Sequence, residues 1–408
     1  MNTNSIYMKS FLVILLIASL LIVVGCGSDL LKDPYYSIPK KLTTNVAHNF
    51  KGKVIIIGAG AAGLSAANVL ENSNVDYKIL EATDRYGGRI KMNDSFADFP
   101  IDLGAEWIHN KKAILNRLNG KDGNEPSEDV ILYQPRDIYL WDGETYSEMP
   151  KGEVDEMYTV LKEYKFKNAT WYQFIDNYFA QNVKQNIVYN SPVISINYEG
   201  NQVVVTTKNG EKHTADKVII TVSIGVLKSN AIAFEPALPA KKIAAINSVV
   251  FPRGFKLFLK FSEKFYPDMI MSETEVGEKT YYDVAYHKDK DNHILGLLST
   301  GTTAEAYYKL GSKEEIVAAV LKELDIIFEG KASQYYSGTY VLKDWGRQAF
   351  TLGTWTEGFD EDLYDSLLQS LDNKVYFAGE TFGGVYNSTV HGAIISGNKQ
   401  AIEMLKNR

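Results

Sequence analysis

The chain has 408 residues, of which 45% are hydrophobic and 23% charged, and this length predicts two or three globular domains. Lys and Arg number 43 and Asp and Glu number 50, so the formal net charge is −7, without a long basic run. Because nucleic-acid-binding surfaces are basic, this charge argues against a nucleic-acid partner. The single cysteine, Cys26, excludes an internal disulfide, and the six histidines show no spacing that predicts a metal site.

The N-terminus reads as a targeting segment followed by a tether. The apolar run from Phe11 to Val24 is short for a membrane span, which favours the core of a signal peptide. It ends in VVGC (23–26), which resembles the lipobox of bacterial lipoproteins, where the cysteine is lipid-modified and becomes the first residue. We therefore expect removal of residues 1–25 and an exported lipoprotein, anchored to a membrane through lipidated Cys26 and facing the periplasm or the cell exterior. An ordinary anchor helix is the alternative, and residues 26–50 are expected to form the tether.

The segment from Lys53 to Glu81 has the pattern of a βαβ unit. The apolar, β-branched run at 54–57 predicts a buried parallel strand. Residues 64–70 have helical spacing, and residues 77–80 predict a second short strand. The glycine-rich sequence GAGAAG connects the first strand to the helix, which is the context that makes such a sequence a dinucleotide-binding motif.

The glycines of this motif have distinct physical roles. Gly58 permits the tight turn, Gly60 lets the backbone approach a pyrophosphate, and Gly63 lets helix and strand pack closely. The helix start at Ala62 offers free N–H groups to phosphates. Glu81, at the end of the second strand, is placed to accept hydrogen bonds from ribose hydroxyls. The alternative is a glycine-rich turn that binds no ligand.

Two loops after this unit also predict contacts with a ligand. Paired glycines precede Arg89, whose guanidinium can neutralise a phosphate through a forked pair of hydrogen bonds. The alternative for Arg89 is a solvated turn. Further along, a short strand ends in Gly104 and Ala105, where small residues let backbone N–H groups approach a flat ring.

Several ordered motifs resemble those of the flavin-containing amine oxidase family, which includes monoamine oxidases, polyamine oxidases and lysine-specific histone demethylases. They are VIIIGAGAAGLSAA, LEATDRYGGRI, DLGAEWIH, NSPV, TVSIGVLK, VYFAGE and VHGAIISG. The resemblance runs from about residue 51 to the end of the chain. It implies an α/β fold with two domains. A Rossmann-like FAD-binding domain (51–95, 185–235 and 370–408) would interleave with an α+β substrate domain (96–184 and 236–369).

The resemblance also implies the chemistry. The expected reaction is FAD-dependent oxidation of an amine, either a primary amine or a polyamine-like one, to an imine and aldehyde, with O2 reduced to hydrogen peroxide. FAD is expected to bind non-covalently, because Thr354 stands where animal monoamine oxidases attach the flavin to cysteine. An L-amino-acid oxidase or a desaturase is an alternative, and an amino-acid oxidase would need an arginine such as Arg136, Arg253 or Arg347. A non-catalytic flavin-binding surface lipoprotein is a further alternative.

Four residues are the candidates for catalysis. In GFKLFLKF (254–261), Lys256 matches the family lysine that holds a water at flavin N5, the alternative being a solvent-facing strand lysine. Trp355 and Thr389 match the two positions in front of the flavin that carry aromatic side chains in monoamine oxidases. Glu106 is predicted to pair with a distal substrate ammonium. Its alternative is to be the partner of a pocket lysine or of His109.

The resemblance implies further flavin contacts in the second half of the chain. Val193 matches the valine that touches the adenine. Trp345 is expected to stack near the ring, with ordinary core as its alternative. Gly379 and Glu380 end a buried strand, and Glu380 is expected to bind a ribityl or ribose hydroxyl unless it is a structural acid. Val390 and Thr389, like Glu106, belong to the cofactor contacts as well, because the helix that follows them would point its N-terminus at the flavin.

The block between residues 111 and 186 departs from the family pattern, because larger members carry a longer helical block there that covers the substrate channel. We expect a helix at 171–185 within it. Elsewhere, residues 203–207 and 217–222 predict strands, residues 314–328 an amphipathic helix, and residues 337–345 a strand.

Overall fold

A computed structural model describes residues 42–109, 111–121, 128–288 and 290–407, with the backbone alone at residue 160. Residues 1–25, expected to be a signal peptide, and Cys26 with the first part of the expected tether lie outside these ranges, so the expectations for them stay predictions. Within the described part of the chain, no helix is long and apolar enough to cross a membrane.

The strands of the described ranges are, in chain order, β1 (Lys53–Ile57), β2 (Asp76–Leu80), β3 (Met92–Asn93), β4 (Ile101–Asp102), β5 (Ile108–His109), β6 (Val130–Tyr133), β7 (Ile138–Trp141), β8 (Tyr146–Glu148), β9 (Glu163–Phe166), β10 (Ile187–Val188), β11 (Val193–Asn197), β12 (Val203–Thr207), β13 (Lys212–Ala215), β14 (Lys217–Ile220), β15 (Ala233–Glu235), β16 (Gly254–Phe261), β17 (Met269–Ser272), β18 (Lys279–Asp283), β19 (His293–Thr300), β20 (Tyr336–Asp344) and β21 (Val375–Phe377).

The α-helices of the same ranges are α1 (Ala61–Asn72), α2 (Ile114–Asn119), α3 (Lys151–Val160), α4 (Trp171–Ile175), α5 (Ile224–Lys228), α6 (Ala240–Ser248), α7 (Gly301–Tyr308), α8 (Lys313–Ile327), α9 (Lys331–Tyr335), α10 (Tyr364–Leu368) and α11 (Val390–Lys406). A π-helical turn (Asp176–Ala180) and short 3-10 turns (Lys184–Asn186, Glu361–Leu363, Glu380–Phe382 and Gly384–Tyr386) complete the helical segments. The segment 171–185, expected to form one continuous helix, therefore contains α4, the π-helical turn and the start of the 3-10 turn at Lys184–Asn186.

A five-stranded parallel sheet has the order β10-β2-β1-β14-β21. Alternate residues of β1 face opposite cores: Ile56 packs with α1 and α11, whereas Ile55 and Ile57 pack with α5 and α6. Burial on both faces explains why β1 is apolar throughout rather than alternating. Since all five strands run in the same direction, the loops that follow β1, β2, β14 and β21 meet at one edge of the sheet.

The helices α1 and α11 approach each other closely on this sheet. A Cβ at Gly397 would lie 2.0 Å from the backbone oxygen of Ala62, so only glycine permits this distance. The hydroxyl of Ser65 donates to the carbonyl of Ile394 at 2.8 Å. The contact fixes the C-terminal helix against the helix of the glycine-rich motif, although the two segments are far apart in sequence.

A seven-stranded sheet, β20-β16-β19-β18-β17-β7-β8, forms the second large layer. In it β16 pairs antiparallel with both β19 and β20, which places Lys256 opposite Leu298 and Lys343. The strand has the predicted bounds, but both of its faces are buried: Phe255 on one face is 0% exposed and Lys256 on the other is 3% exposed. The alternative interpretation of Lys256 as a solvent-facing lysine is therefore wrong.

The predicted domain ranges can be compared with the positions of the strands in the sheets. Every strand of the five-stranded sheet falls in the ranges assigned to the FAD-binding domain, as do the strands of a four-stranded sheet, β13-β12-β11-β15. Every strand of the seven-stranded sheet falls in the ranges assigned to the substrate domain, as do β4 and the strands of β5-β9-β6. The strand β3, which pairs with β4, falls instead in the range 51–95 assigned to the FAD-binding domain. The division into the two domains stays a prediction.

Candidate active site

A cavity of about 1670 Å³ lies along the carboxyl edge of the five-stranded sheet and extends to the face of the seven-stranded sheet. Pockets for drug-sized ligands measure roughly 300 to 1000 Å³, so this cavity has room for a dinucleotide together with a substrate. The residues predicted for the site that line it are Gly58, Gly60, Ala62, Glu81, Arg89, Gly104, Ala105, Glu106, Val193, Lys256, Trp345, Trp355, Gly379, Glu380, Thr389 and Val390.

The glycine-rich motif forms one end of the cavity and fits a pyrophosphate. Gly58 has a φ of +103°, a left-handed conformation that favours glycine. A Cβ at Gly63 would lie 2.0 Å from the backbone oxygen of Gly58, so Gly63 permits close helix–strand packing and does not itself line the cavity. A Cβ at Gly60 would meet nothing within 4 Å. The open space in front of Gly60, at the start of α1, is where a phosphate can reach free N–H groups.

Glu81 is held in place by the turns around it. Its Oε2 accepts from the Ala59 amide at 2.8 Å, and its Oε1 accepts from the Thr83 amide at 2.9 Å and from the Thr83 hydroxyl at 2.7 Å. An ionised carboxylate has about four acceptor sites, so these three bonds leave capacity for a hydroxyl donor. The geometry is compatible with the predicted ribose contact.

Arg89 and Glu380 form an ion pair that the sequence did not predict, with Nη1 and Oε1 3.2 Å apart. Arg89 also donates to the carbonyl of Thr354, and Glu380 accepts from the Ser388 amide at 3.1 Å. Glu380 therefore joins the loop after β21 to the segment before Trp355, as expected of a structural acid. Both side chains still line the cavity, so their contacts with phosphate and with ribityl or ribose stay predictions.

Trp345 has features of a core residue and also of a residue near the flavin ring, the two interpretations that the sequence left open. It is 4% exposed, and its Nε1 donates to the carbonyl of Leu103 at 2.8 Å, as expected of a core residue. It also lines the cavity, beside the loop of Gly104 and Ala105. A Cβ at Gly104 would lie 1.8 Å from the carbonyl oxygen of Arg89, so glycine is required for the loop to pass this close.

The buried cluster at the other end of the cavity is centred on Glu106. Its Oε2 accepts from Lys256 Nζ at 2.6 Å and from the Tyr282 hydroxyl at 2.7 Å. Its Oε1 forms an ion pair with the ammonium of Lys165. Both lysines also face the ring of Trp107, with Nζ atoms 4.7 Å (Lys256) and 5.6 Å (Lys165) from its centroid. Two cations thus share one carboxylate inside an aromatic wall.

These contacts change the acidity of the groups. Burial would raise the pKa of Glu106, but the charges of Lys165 and Lys256 outweigh it and lower that pKa to about 2. Burial lowers the pKa of Lys256, and Glu106 opposes part of that shift. The pKa of Asp102 is raised well above its usual value by burial and then by the charge of Glu106. Glu106 is therefore ionised at neutral pH.

The prediction that Glu106 pairs with a substrate ammonium is not supported by this geometry. Both of its oxygens are occupied by the chain's own cations, which corresponds to the alternative, a partner for a pocket lysine. The negative charge of Glu106 is balanced by the buried ammonium groups of Lys256 and Lys165, so it attracts a substrate ammonium only weakly.

The two positions in front of the predicted flavin differ in kind. Trp355 is half-buried and lines the cavity. The Thr389 hydroxyl accepts from the Gly392 amide at 2.9 Å and donates to the carbonyl of Tyr386 at 2.7 Å, so it caps α11. Thr389 therefore contributes to the site chiefly by setting where α11 begins, and its small side chain leaves the cavity wide.

Sequence reasoning missed two carboxylates on the cavity wall. Glu163 begins β9, and its Oε1 lies 2.9 Å from His109 Nδ1. Glu278 directly precedes β18 and accepts from the Thr280 hydroxyl at 2.7 Å. Both lie in segments without a recognised motif, and no signal in their local sequence distinguishes them from surface acids.

Comparison with known proteins identifies the family to which the chain belongs. The family model described as flavin containing amine oxidoreductase matches residues 61–182 and 172–405. Polyamine oxidase 3 of Oryza sativa subsp. japonica is 29% identical over 435 residues, which cover 86% of this chain and 88% of that protein. Polyamine oxidase 2 of Arabidopsis thaliana is 26% identical, covering 84% of this chain and 86% of that protein.

Solved structures share the fold. Wild-type putrescine oxidase bound to putrescine has a TM-score of 0.69 at 15% identity, covering 87% of this chain and 99% of that one. Cyclohexylamine oxidase from Brevibacterium oxydans IH-35A has a TM-score of 0.70 at 18% identity, with coverage of 87% and 99%. The predicted two-domain amine oxidase fold and FAD as cofactor are confirmed. The protein is an oxidoreductase that oxidises amines with FAD, and it belongs to the flavin-containing amine oxidase family.

Proposed function

We propose that the protein oxidises a di- or polyamine and passes the electrons to O2. The observation that supports this best is Glu278, a carboxylate on the cavity wall with no ion-pair partner within 4 Å in the described ranges. Burial raises the pKa of Glu278. A distal ammonium beside it would supply the missing counter-charge.

The neighbourhood of Glu278 suits a flexible dication. The charges of Lys256 and then His109 lower the pKa of Glu278, and that of Glu163 raises it, so these groups lie within electrostatic reach of one another. Because Lys256 stands at the predicted reaction centre, a substrate with its reactive amine near Trp355 can extend its second ammonium towards Glu278 and Glu163. A charged amine at that end of the cavity would be held by carboxylates rather than repelled.

The chain's own residues bind and orient the substrate. Bound FAD would supply the redox chemistry, as the acceptor of a hydride equivalent from the carbon next to the amine nitrogen. The glycine-rich motif is suited to hold its pyrophosphate, and Trp355 and Trp107 enclose the substrate and exclude water. The ammonium of Lys256 lies on the same wall, where it can orient a water molecule.

The alternative of an L-amino-acid oxidase lacks its arginine. Arg136, Arg253 and Arg347 pair with Asp155, Glu305 and Asp344, and none of the three lines the cavity. The arginines that do line it are also engaged: Arg85 donates to backbone carbonyls of its own loop, and Arg89 to Glu380 and Thr354. An amine without a carboxylate is the better fit.

A hydrogen peroxide assay tests the proposal with putrescine, spermidine, cyclohexylamine and an L-amino-acid mixture as substrates. Glu278→Gln should lower kcat/KM for the di- and polyamines by at least about tenfold, roughly 1.4 kcal/mol, and that for cyclohexylamine far less. Glu273→Gln, at an exposed position outside the cavity wall, is the matched control. Equal losses on all amines would contradict the assignment of Glu278, and peroxide from amino acids alone would contradict the substrate class.

We further propose that the protein is an exported lipoprotein anchored through Cys26. Support comes from the VVGC sequence after an apolar run. Expression in a bacterial host fed a labelled fatty acid tests this, with Cys26→Ser as the matched variant. Label in the wild-type protein alone, together with its recovery in the membrane fraction, is expected. An unlabelled wild-type protein would contradict the proposal.

A further inference from the structure

The buried lysine Lys165 has no role in the binding of substrate or FAD proposed above. It lies on β9, outside the cavity wall, and only 2% of its side chain is exposed. In the described part of the chain, Glu106 is the only residue that forms an ion pair with it. The rest of its surroundings is aromatic, with Nζ 4.8 Å from the ring centroid of Tyr133 and 5.0 Å from that of Tyr282.

Lys165 lines a second, small cavity rather than the main one. It measures about 10 Å³, room for about one water molecule, and is lined by Asp102, Glu106, Lys165 and Lys288 among others. Glu106 lines both cavities, so it stands between Lys165 and the space where substrate binds. Lys165 therefore acts on the main cavity through Glu106 rather than by touching substrate.

The arrangement of the two lysines is reciprocal. Lys256 pairs with Oε2 of Glu106 and Lys165 pairs with Oε1, so each oxygen of the carboxylate is fixed by one ammonium group. With one oxygen held by Lys165, Glu106 cannot rotate to receive Lys256 in another geometry. We propose that Lys165 is a positioning residue, which sets the place and the protonation of Lys256 through the carboxylate they share.

The sign of the effect follows from the charges. Lys165 and Lys256 repel each other, so loss of Lys165 should favour the protonated form of Lys256, whereas loss of the Glu106 charge should disfavour it. The other titratable groups that face Lys256 are Asp102 on β4, Tyr282 on β18 and Glu278 before β18, and Lys343 lies across from it on β20. None of them is altered in the variants below, so their contribution stays constant.

The experiment is a pH titration of the flavin absorption bands of the oxidised holoenzyme without substrate, which reads charge near the ring and needs no turnover. Lys256→Met identifies the transition that belongs to Lys256, by its loss. Lys165→Met should move that transition to higher pH and Glu106→Gln to lower pH, each by about one pH unit or more, as for a charge at contact distance. Lys165→Arg, which keeps the charge, should leave it near the wild-type position.

The matched control is Lys260→Met, because Lys260 lies on the same strand and face as Lys256 but has no carboxylate partner within 4 Å in the described ranges. Should Lys165→Met not retain flavin, Lys165→Gln makes the same test, because its amide can donate to Glu106 without a charge. A transition that stays in place in the neutral Lys165 variants, or moves the same way in Glu106→Gln, would overturn the proposal. So would a wild-type enzyme without a transition that depends on Lys256. Since substrate is absent, none of these results depends on the identity of the amine.

Discussion

Substitution of Gly60 by valine separates binding of FAD from folding of the protein. Gly60 has φ −77° and ψ −176°, an extended conformation that valine adopts without strain. A Cβ there meets no protein atom within 4 Å, so the new side chain would project into the cavity. The backbone should therefore keep its structure while the space in front of the start of α1 is filled.

The size of the effect follows from the hydrogen bonds that are lost. The first N–H groups of a helix have no intrahelical partner, and a pyrophosphate would accept from them. A hydrogen bond to a charged group contributes about 1.5 to 3 kcal/mol, so moving the phosphates out of reach of two donors costs roughly 3 to 6 kcal/mol. This corresponds to a loss of affinity for FAD of roughly 100-fold or more.

The assay has two parts, the flavin absorbance of the purified variant and its thermal unfolding without FAD. Gly60→Val should be colourless yet unfold at the temperature of flavin-free wild type. Gly152→Val, at an exposed open position, is the matched control and should stay yellow. Gly63→Ala should instead lower stability, because its Cβ would lie 2.0 Å from the Gly58 oxygen. A fully yellow Gly60→Val protein would refute the placement of the pyrophosphate.

Three further predictions concern the reaction centre, the flavin linkage and pH. Lys256→Met should keep FAD bound but slow amine oxidation or flavin reoxidation by at least about tenfold in stopped-flow traces, roughly 1.4 kcal/mol, and unchanged half-reactions would remove Lys256 from the site. Flavin should be released into the supernatant on acid precipitation, because Thr354 cannot form a thioether; colour that stays in the pellet would show a covalent link. Burial, and then the charge of Glu278, raises the pKa of Glu357 to about 7. A carboxyl whose pKa is raised on folding makes the folded state less stable as pH increases from its unfolded pKa of about 4.3 towards 7. Glu357→Gln should therefore raise the unfolding temperature at pH 8 and have little effect at pH 4, and an equal effect at both would contradict the assignment.

The dinucleotide-binding end of the site was predictable because its determinants are local. Gly58, Gly60 and Gly63 lie within six residues of the chain, and their spacing follows from the geometry of one strand, one turn and one helix. The bounds of β16 and the position of Lys256 in it were also predicted, because an alternating apolar run is read over a few residues.

The burial of Lys256 and the state of Glu106 were only partly predictable. Alternation in β16 indicated one buried face, but the second face is covered by residues such as Phe99 and Tyr282, which come from other parts of the chain. The sequence left open whether Glu106 meets substrate or a lysine. In the structure, Lys165 pairs with the oxygen of Glu106 that Lys256 leaves open, so both oxygens meet lysines. Lys165 lies on β9, within the block that departs from the family pattern.

The sequence by itself thus determined the dinucleotide-binding motif, through short-range backbone geometry, and the amine-oxidising family, through the resemblance of its ordered motifs. It also determined the place of Lys256, the predicted catalytic lysine, in its strand, because the alternating pattern of β16 is local. The tertiary structure alone decided which charges meet. The pairs of Glu106 with Lys256 and Lys165, and of Arg89 with Glu380, join segments that are distant in the chain, and burial strengthens each pairing by lowering the dielectric around it. Glu278, by contrast, has no ion-pair partner within 4 Å among the residues that the structure describes. Which carboxylate of a pocket lacks an ion-pair partner is therefore decided by the tertiary structure, since it depends on which cations the fold places beside each carboxylate.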